Sequence, residues 1–242
     1  MAADRNDLGQ PIGEPVRGWA TCPLPPRSPM VGRTCRVEIL DPLRHGSSLW
    51  EANQLDSAHH NMTYLSADPF PDAAAYCVWL ERMSRTEDPL FCTVIDANTS
   101  RAVGVASYLR IVPEHGVIEI GHINFSPLLQ RTTAATEALF LMMCRAFDEL
   151  GYRRLEWKCD SLNGPSRTAA LRLGFRFEGI FRQAIVYKGR NRDTAWFSII
   201  DAEWPAIRGA FERWLAPANF DAAGVQREAL ASMISRAVST SS

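Results

Sequence analysis

The spacing of hydrophobic and polar residues changes several times along the first half of the chain. Alternation of apolar and polar positions predicts a first strand over residues 34–40. Apolar residues at helical spacing then predict two helices, at 43–55 and 72–83. A return to alternation predicts three antiparallel strands, the first two joined as a hairpin, at 90–95, 102–112 and 117–125.

The second half mixes helical and strand patterns. A helix from about Thr132 to Leu150 is apolar on more than one side, which predicts that it is pressed into the core. The elements that follow are a strand at 154–159, a helix at 165–173, a strand pair within 175–200 and two helices at 204–215 and 225–235. We expect the last two helices to pack outside. Because helical crossovers imply parallel neighbours, the element order predicts a mixed sheet.

Proline density separates the beginning of the chain from the rest. Six prolines between residues 11 and 29 are too many for a helix or a central strand, so residues 1–33 are predicted to form an extended arm. Residues 34–216 are predicted to form one domain. Residues 217–242 are expected to hold a helix and a tail that frays after Val238.

Charge and composition exclude several classes of protein. The chain has 26 basic and 27 acidic residues, which argues against a nucleic-acid partner. No apolar run reaches the roughly 18 residues that span a membrane, and charged residues near the N-terminus disfavour a signal peptide. We therefore expect a cytoplasmic protein with no membrane partner. Its cysteines lack C-x-x-C spacing and its adjacent His59 and His60 cannot easily share one ion, so we expect reduced thiols and no metal.

One segment has the features of an anion site, whereas the common nucleotide-binding, hydrolase and metalloprotease motifs are missing. The sequence Gln130-Arg-Thr-Thr-Ala-Ala135 precedes the long core helix. Small residues at a helix start allow a pyrophosphate to approach its free N–H groups, and Arg131 adds charge. The alternative is that a threonine merely caps the helix.

A second group of motifs carries a family resemblance. It comprises Asn163-Gly-Pro-Ser166, then Leu173-Gly-Phe175 and Glu178-Gly179, and finally Arg182, Arg192, Asp193, Trp196, Phe197 and Ser198. This pattern resembles the GCN5-related N-acetyltransferase (GNAT) superfamily, and is most similar to the branch of the ribosomal-protein-alanine N-acetyltransferases. The element order agrees over about residues 34–205. The resemblance implies an α/β fold with a central mixed, largely antiparallel sheet of six or seven strands, helices on both faces and two splayed parallel strands.

The resemblance also implies acetyl-CoA, or another acyl-CoA, as co-substrate. It would lie between the strands at 117–125 and 154–159, with its pantetheine arm paired to the first strand and its pyrophosphate at the following helix start. The implied contacts are Ile123, Asn124, Phe125, Gln130, Arg131, Thr132, Thr133, Ala134, Ala135, Asn163, Ser166 and Arg167. The chain departs from the family at Thr133, where a glycine is usual. Threonine hydroxyls that donate to phosphate would compensate.

The catalytic candidates are Glu119, His122 and Ser166. The tyrosine that protonates the leaving thiolate in many members is replaced by Ala170, so Ser166 is the candidate acid. Glu119 is favoured as the base, with His122 next; strand alternation places them on opposite faces. Each has a structural alternative: Glu119 could be a salt-bridged carboxylate, His122 a hydrogen-bonded core imidazole, and Ser166 a serine that bonds the backbone.

The resemblance places the acceptor site between the first helices and the last hairpin. Its expected wall is His60, Tyr64, Phe70, Trp79, Tyr187 and Arg190, although each could equally be ordinary packing. The implied function is acyl transfer to a primary amine of a protein N-terminus or a small molecule, by direct attack in a ternary complex. The alternative is a CoA-binding regulatory or interaction module without turnover. A monomer and a homodimer both stay open.

Overall fold

The computed structural model describes residues 4–239. Within that range the strands are β1 (Asp4–Arg5), β2 (Pro11–Ile12), β3 (Met30–Val31), β4 (Cys35–Ile39), β5 (Leu90–Asp96), β6 (Ala102–Val112), β7 (Val117–Phe125), β8 (Arg154–Asp160), β9 (Arg176–Tyr187) and β10 (Arg190–Ile200). The α-helices are α1 (Pro42–Asn53), α2 (Ala73–Ser84), α3 (Thr133–Cys144), α4 (Gly164–Arg172), α5 (Trp204–Leu215) and α6 (Leu230–Ser239). None of these helices is both long and apolar enough to cross a bilayer. The tail expected to fray after Val238 falls outside the described residues from position 240 onward.

Eight strands form one sheet in the order β3-β4-β5-β6-β7-β8-β10-β9. All neighbours are antiparallel except β7 and β8, which run parallel, so the mixed and largely antiparallel sheet is confirmed. The sheet has more strands than the expected six or seven. The additional strand is β3, which forms only two residue pairs with β4.

Helices cover both faces of the sheet, as expected. The alternation along β5 shows why: Phe91 and Ile95 pack with the core between the sheet and helices α1 and α2. Cys92 and Val94 point the other way and join the larger core, to which α3 and α5 contribute. A strand that is buried at every position but the last therefore lies between two helical layers.

The long core helix is less regular than its sequence pattern predicted. It is α-helical only to Cys144, and residues 145–149 then form a π-helical turn. At this turn the buried guanidinium of Arg145 bonds Glu149 and donates to the carbonyl oxygen of Ser28 at 2.6 Å. The predicted core position is confirmed by Met142 and Met143, which are fully buried.

The C-terminal helix begins later than predicted and packs differently. It begins at Leu230 rather than near residue 225. The expectation that the last helices pack outside was wrong, because Leu230 is fully buried in the main core and α6 packs against α5. The amphipathic pattern at the end of the chain thus completes the core.

The N-terminal arm lies against the end of the sheet near residues 113–116. Trp19 Nε1 donates to the Glu114 carbonyl oxygen at 3.0 Å, and the N–H of Cys22 donates to Pro113 O at 3.2 Å. The hydroxyl of Tyr152 donates to Pro23 O at 3.2 Å. Backbone groups of the proline-rich arm are therefore tied to the domain at several points.

The parallel pairing between β7 and β8 is short. It comprises three residue pairs and ends at Glu119 opposite Glu156. Beyond this point β7 contains a bulge against β6, and His122 in the bulge has a positive φ of 47°. The two strands diverge from there, which confirms the splayed pair that the family resemblance implied.

A buried carboxylate fixes helix α3 to the start of β4. Glu137 accepts hydrogen bonds from the N–H groups of Arg33 at 2.9 Å, Thr34 at 2.6 Å and Cys35 at 3.2 Å. Gly32 allows this approach, since a Cβ there would lie 2.6 Å from Glu137 Cδ. Because three backbone donors share one acceptor group, the position of α3 depends on it.

We expect Glu137→Gln to lower the free energy of unfolding by about 2–4 kcal/mol, because the amide cannot satisfy three buried donors. Urea denaturation measures this. The exposed Glu212→Gln, which breaks only a surface pair with Arg208, serves as control and should change stability by less than about 0.5 kcal/mol. Equal stability of the two variants would contradict the assigned role of Glu137.

Candidate functional site

A cleft of about 500 Å³ opens where β7 and β8 diverge. Its walls come from both strands, the inner face of β10, the start of α4 and the loop at 61–66. Of the candidate catalytic residues, Glu119, His122 and Ser166 all line it. The fold thus brings together catalytic candidates from two separate segments of the chain, β7 and the start of α4.

The floor of the cleft holds a buried ion-pair network. Lys158 Nζ lies 2.8 Å from Glu119 Oε2 and 2.7 Å from Glu156 Oε2, and the three side chains are at most 7% exposed. Arg110 Nε lies 3.7 Å from both carboxylates. The ammonium group also sits 3.7 Å from the ring centre of Trp196, a cation–π contact. Glu119 is therefore a salt-bridged carboxylate that still faces the cleft.

The network continues away from the cleft. Arg154 bonds Glu156 at 2.8 Å and holds both oxygens of Glu178 at 2.7 and 2.6 Å, while Ser198 donates to Glu178 at 2.6 Å. Three carboxylates thus balance three cations. This network was not predicted from the sequence, although charged residues at every second position of β8, separated by Leu155 and Trp157, indicate a charged face.

Burial and charge shift the pKa values in this network in opposite directions. Burial raises the pKa of Glu119 above 4.5, and the opposing charge of Lys158 limits the rise. At Glu178, hydrogen bonds from Arg154 lower the pKa to about 2. The carboxyl nearest the cleft is consequently the one whose pKa moves toward neutral pH.

His122 lies on the same sheet face as Glu119, so the expectation of opposite faces was wrong. Its Nδ1 lies 2.9 Å from the Ser107 hydroxyl, and Glu119 pairs opposite Leu109, two residues further along β6 on the same face. The bulge at His122 adds one residue to β7 and resets the alternation. Burial, followed by the charge of Arg192, lowers the pKa of His122 below 6.5.

The start of α4 presents Ser166 to the cleft. Asn163 caps this helix, since its Oδ1 accepts from the Ser166 N–H at 3.0 Å. The Ser166 hydroxyl accepts from Trp157 Nε1 at 3.0 Å, so its own proton is free to point elsewhere. Ala170, at the position of the usual tyrosine, is fully buried.

The start of α3 is open to solvent. Gln130, Arg131 and Thr132 are exposed, and Arg131 has a positive φ of 61°. Thr132 caps the helix by accepting from Ala135 N–H at 3.1 Å, and its hydroxyl donates to Leu129 O at 2.6 Å. Its proton is thus already engaged, which leaves the hydroxyl of half-buried Thr133 for an incoming ligand.

Side-chain amides cover the end of β7. The carbonyl oxygen of Phe125 accepts from Asn61 Nδ2 at 3.1 Å and from Gln130 Nε2 at 2.8 Å. Ile123 lines the cleft, and the Oδ1 atom of the neighbouring Asn124 is buried without a hydrogen bond among the described residues. Unsatisfied acceptors of this kind mark where a ligand can bind.

The expected acceptor wall is only partly assembled. Tyr64 and Tyr187 line the cleft, the latter donating to Asp160 Oδ2 at 2.9 Å. Phe70 and Trp79 instead pack in an aromatic cluster around Tyr76. The remaining wall residues, His60 and Arg190, are exposed and do not line the cleft. Arg167, predicted as a contact of the co-substrate, donates to Ser161 O at 3.1 Å and does not line the cleft either.

A row on β10 was not predicted as part of the site. Arg192, Thr194 and Trp196 alternate along the strand and all line the cleft. Arg192 and Trp196 were named among the motif residues of the family resemblance, but no role in the site was assigned to them. Alternation along the strand is the signal that identifies the row.

The cysteines do not supply a reactive thiol. All six are free. Cys159 lines the cleft, and burial raises its pKa above 9.0. Burial also raises the pKa values of Cys92 and Cys144 to about 12. Because the thiolate is the nucleophile, these thiols are poor ones.

Comparisons with known proteins agree with this geometry. The family model for the acetyltransferase (GNAT) domain matches residues 40–176. A crystal structure of a GCN5-related N-acetyltransferase from Brucella melitensis is 49% identical, covering 91% of this chain and 100% of that chain with a TM-score of 0.89. A GNAT-family structure from Chromobacterium violaceum is 42% identical, covering 81% of this chain and 98% of that chain with a TM-score of 0.75.

Curated sequences give a more distant match. The uncharacterized N-acetyltransferase YnaD of Bacillus subtilis is 28% identical over 102 residues, which is 42% of this chain and 59% of that protein. The chain thus spans less than two thirds of the length of the curated relatives that it matches. The family model and the two solved structures, together with the splayed strands of the sheet, show that the chain belongs to the GNAT acetyltransferase family.

Proposed function

We propose that this protein is an N-acyltransferase that uses acetyl-CoA and acts on a primary amine of a small molecule or a protein N-terminus. The observation that carries the proposal is the divergence of β7 from β8 after Glu119, with a carboxylate, an imidazole and a hydroxyl facing the resulting cleft. Acyl transfer requires a proton acceptor for the amine and a proton donor for the leaving thiol.

The residues at the divergence suit a CoA thioester. Beyond Gly121 the edge of β7 is not paired with β8, so an amide-bearing arm can add to it like a strand. The start of α3 offers N–H groups at Thr133 and Ala134 and the charge of Arg131 to a diphosphate. Since the carbonyl of Phe125 is already bonded, strand-like pairing falls on the residues before it.

Bound acetyl-CoA supplies a thioester that an amine attacks, with the CoA thiol as leaving group. Glu119 would take the proton from the ammonium form of the acceptor, directly or through water. Its burial favours this role by raising its pKa, and Lys158 fixes the orientation of the carboxylate. His122 is the second candidate base, since its lowered pKa leaves it neutral at pH 7.

Ser166 would donate a proton toward the leaving sulfur. Its hydroxyl oxygen already accepts from Trp157, which leaves the hydroxyl hydrogen to be donated into the cleft. The helix cap at Asn163 holds the backbone of Ser166 in place. The chain's own residues thus orient the reactants and move protons, with no covalent enzyme intermediate.

The proposal predicts thiol release from acetyl-CoA when a suitable amine is present. A panel of small amines and short peptides would be tested with a thiol reagent, and mass spectrometry would identify an N-acetyl product in equal amount. Calorimetry gives the affinity for CoA independently. Binding of CoA without thiol release for any amine would refute acetyl transfer and favour a CoA-binding module without turnover.

The pH profile distinguishes the two candidate bases. If Glu119 is the base, kcat falls as pH decreases through its raised pKa, so the acid limb lies above 4.5. Glu119→Gln should remove this limb and lower kcat by about 100-fold or more.

Two further variants serve as comparisons for the pH profile. Glu178→Gln removes a carboxylate of the same network that does not line the cleft, and it should keep the limb. Loss of the limb in His122→Asn, with retention in Glu119→Gln, would transfer the role to the histidine.

Ser166→Ala should lower kcat by about 10-fold while the KM for acetyl-CoA changes little, because the hydroxyl acts on the leaving group. Thr168→Ala removes a hydroxyl from an exposed position of the same helix and should behave like the unmodified protein. Steady-state kinetics of both variants measures the difference. An unchanged kcat in Ser166→Ala would exclude the serine as acid.

A further inference from the structure

The inner face of β10 carries three polar atoms that lack partners. Arg192 Nε, Thr194 Oγ1 and Trp196 Nε1 are buried and make no hydrogen bond among the described residues. The three side chains occupy alternate positions of the strand and all line the cleft. Buried polar groups are normally paired, so a row of unpaired groups on a cleft wall indicates a ligand.

Thr194 is the most deeply buried of the three side chains that hold an unpaired polar atom. It is only 3% exposed and lies opposite Asp160 on β8. An unpaired buried hydroxyl is unfavourable by about 1–3 kcal/mol. Its neighbours in the row, an arginine Nε–H and an indole N–H, can only donate, so the missing partner must carry acceptor oxygens.

The charge of Arg192 is also unmatched. The carboxylates of the cleft are engaged elsewhere: Asp160 accepts from Tyr187 and from the N–H of Leu162, and Glu119 and Glu156 hold Lys158. Within residues 4–239, Arg192 forms no ion pair, and its guanidinium lies 5.8 Å from the centre of the Tyr187 ring. A cation in this position favours an anionic ligand.

The unpaired atom of Arg192 indicates the shape of the anion. The free edge that includes Nε can meet two oxygens of a planar group side by side. A carboxylate fits this edge, and the hydroxyl of Thr194 adds a further donor. Arg192 and Thr194 line the same cleft as His122 and Glu119, which places the subsite beside the candidate bases. The charge of Arg192 accordingly contributes to the lowered pKa of His122.

We propose that Arg192 and Thr194 form a subsite for a carboxylate carried by one of the two reactants. The inference rests on the proposed acyl transfer and narrows it. If the carboxylate belongs to the acceptor, the substrate is an amino acid or a similar zwitterionic amine. If it belongs to the donor, the acyl group is a dicarboxylic one such as succinyl. In the first case a protein N-terminus, which has an amide at this position, does not fit.

The first experiment compares reactants that differ only in the carboxylate. One arm measures kcat/KM with acetyl-CoA for free amino acids against their carboxamides and against dipeptides. The other arm measures acetyl-CoA against succinyl-CoA, with the carboxamides as acceptors. We expect a preference of about 10-fold or more for the carboxylate in one of the two arms, the size expected for a charged hydrogen bond.

The second experiment tests the residues. Arg192→Gln and Thr194→Val should reduce that preference, Arg192→Gln by about 10-fold or more. Arg182→Gln removes an exposed arginine of the neighbouring strand that does not line the cleft, and it should leave the preference unchanged. Calorimetry of the favoured carboxylate with CoA-bound protein gives a readout independent of turnover, and the variant's affinity should fall in parallel.

The outcomes separate this inference from the proposed function. Equal rates with carboxylate and carboxamide reactants in the first arm, together with equal rates for the two donors in the second, would overturn the subsite while leaving acyl transfer intact. If Arg192→Gln keeps the preference for the carboxylate, the subsite is also overturned. The same holds if the only effect of Arg192→Gln is a higher KM for acetyl-CoA. Absence of thiol release with every amine and both donors would refute the transferase proposal itself.

Discussion

The parallel pairing of β7 with β8 is the constraint on which the site depends. It comprises only three residue pairs before the bulge at His122 turns β7 away. Had the strands stayed paired, their N–H and C=O groups would bond each other and no cleft would exist. A backbone irregularity one residue long therefore creates the cavity, its unpaired strand edge and the alignment of Glu119 with His122.

The charge distribution of the cleft also depends on where the pairing of β7 with β8 ends. The last pair of the parallel register places Glu119 beside Glu156, which would repel each other without Lys158 between them. The balance of the network leaves the buried floor close to neutral. Against this background Arg192 contributes a charge that no residue between 4 and 239 neutralises, which is why one side chain can impose a preference on the ligand.

Much of the fold was readable from alternation because alternation reflects burial. The strand β5 and the hairpin it forms with β6 carry clear periods and were predicted nearly to the residue. The strand β3 was missed because two residues carry no period and depend on pairing with β4. The π-helical turn after Cys144 was also missed, and the Arg145 side chain at this turn bonds the distant Ser28, a contact that the local sequence does not reveal.

In the candidate site, too, the identity of the residues could be predicted from the sequence, whereas their orientation could not. Glu119, His122 and Ser166 were chosen from motifs and chemistry, and all three face the cleft. Their relative orientation was missed, because a positive φ at a histidine cannot be inferred from a strand pattern. Phe70 and Trp79 were assigned to the acceptor wall, but their position depends on how α1 and α2 pack on the sheet. The structure places them, partly buried, against the core there.

The arm's contact with Arg145 affects where the chain can be cut. The guanidinium is buried, and the carbonyl oxygens of Ser28 and Pro29 are among its few partners. A shortened protein beginning at residue 34 would leave that cation without these acceptors in an apolar interior. The bonds of Trp19 and Cys22 extend the dependence further upstream. A stable recombinant fragment should therefore start ahead of the tryptophan, although nothing in the family motifs marks that residue as a boundary.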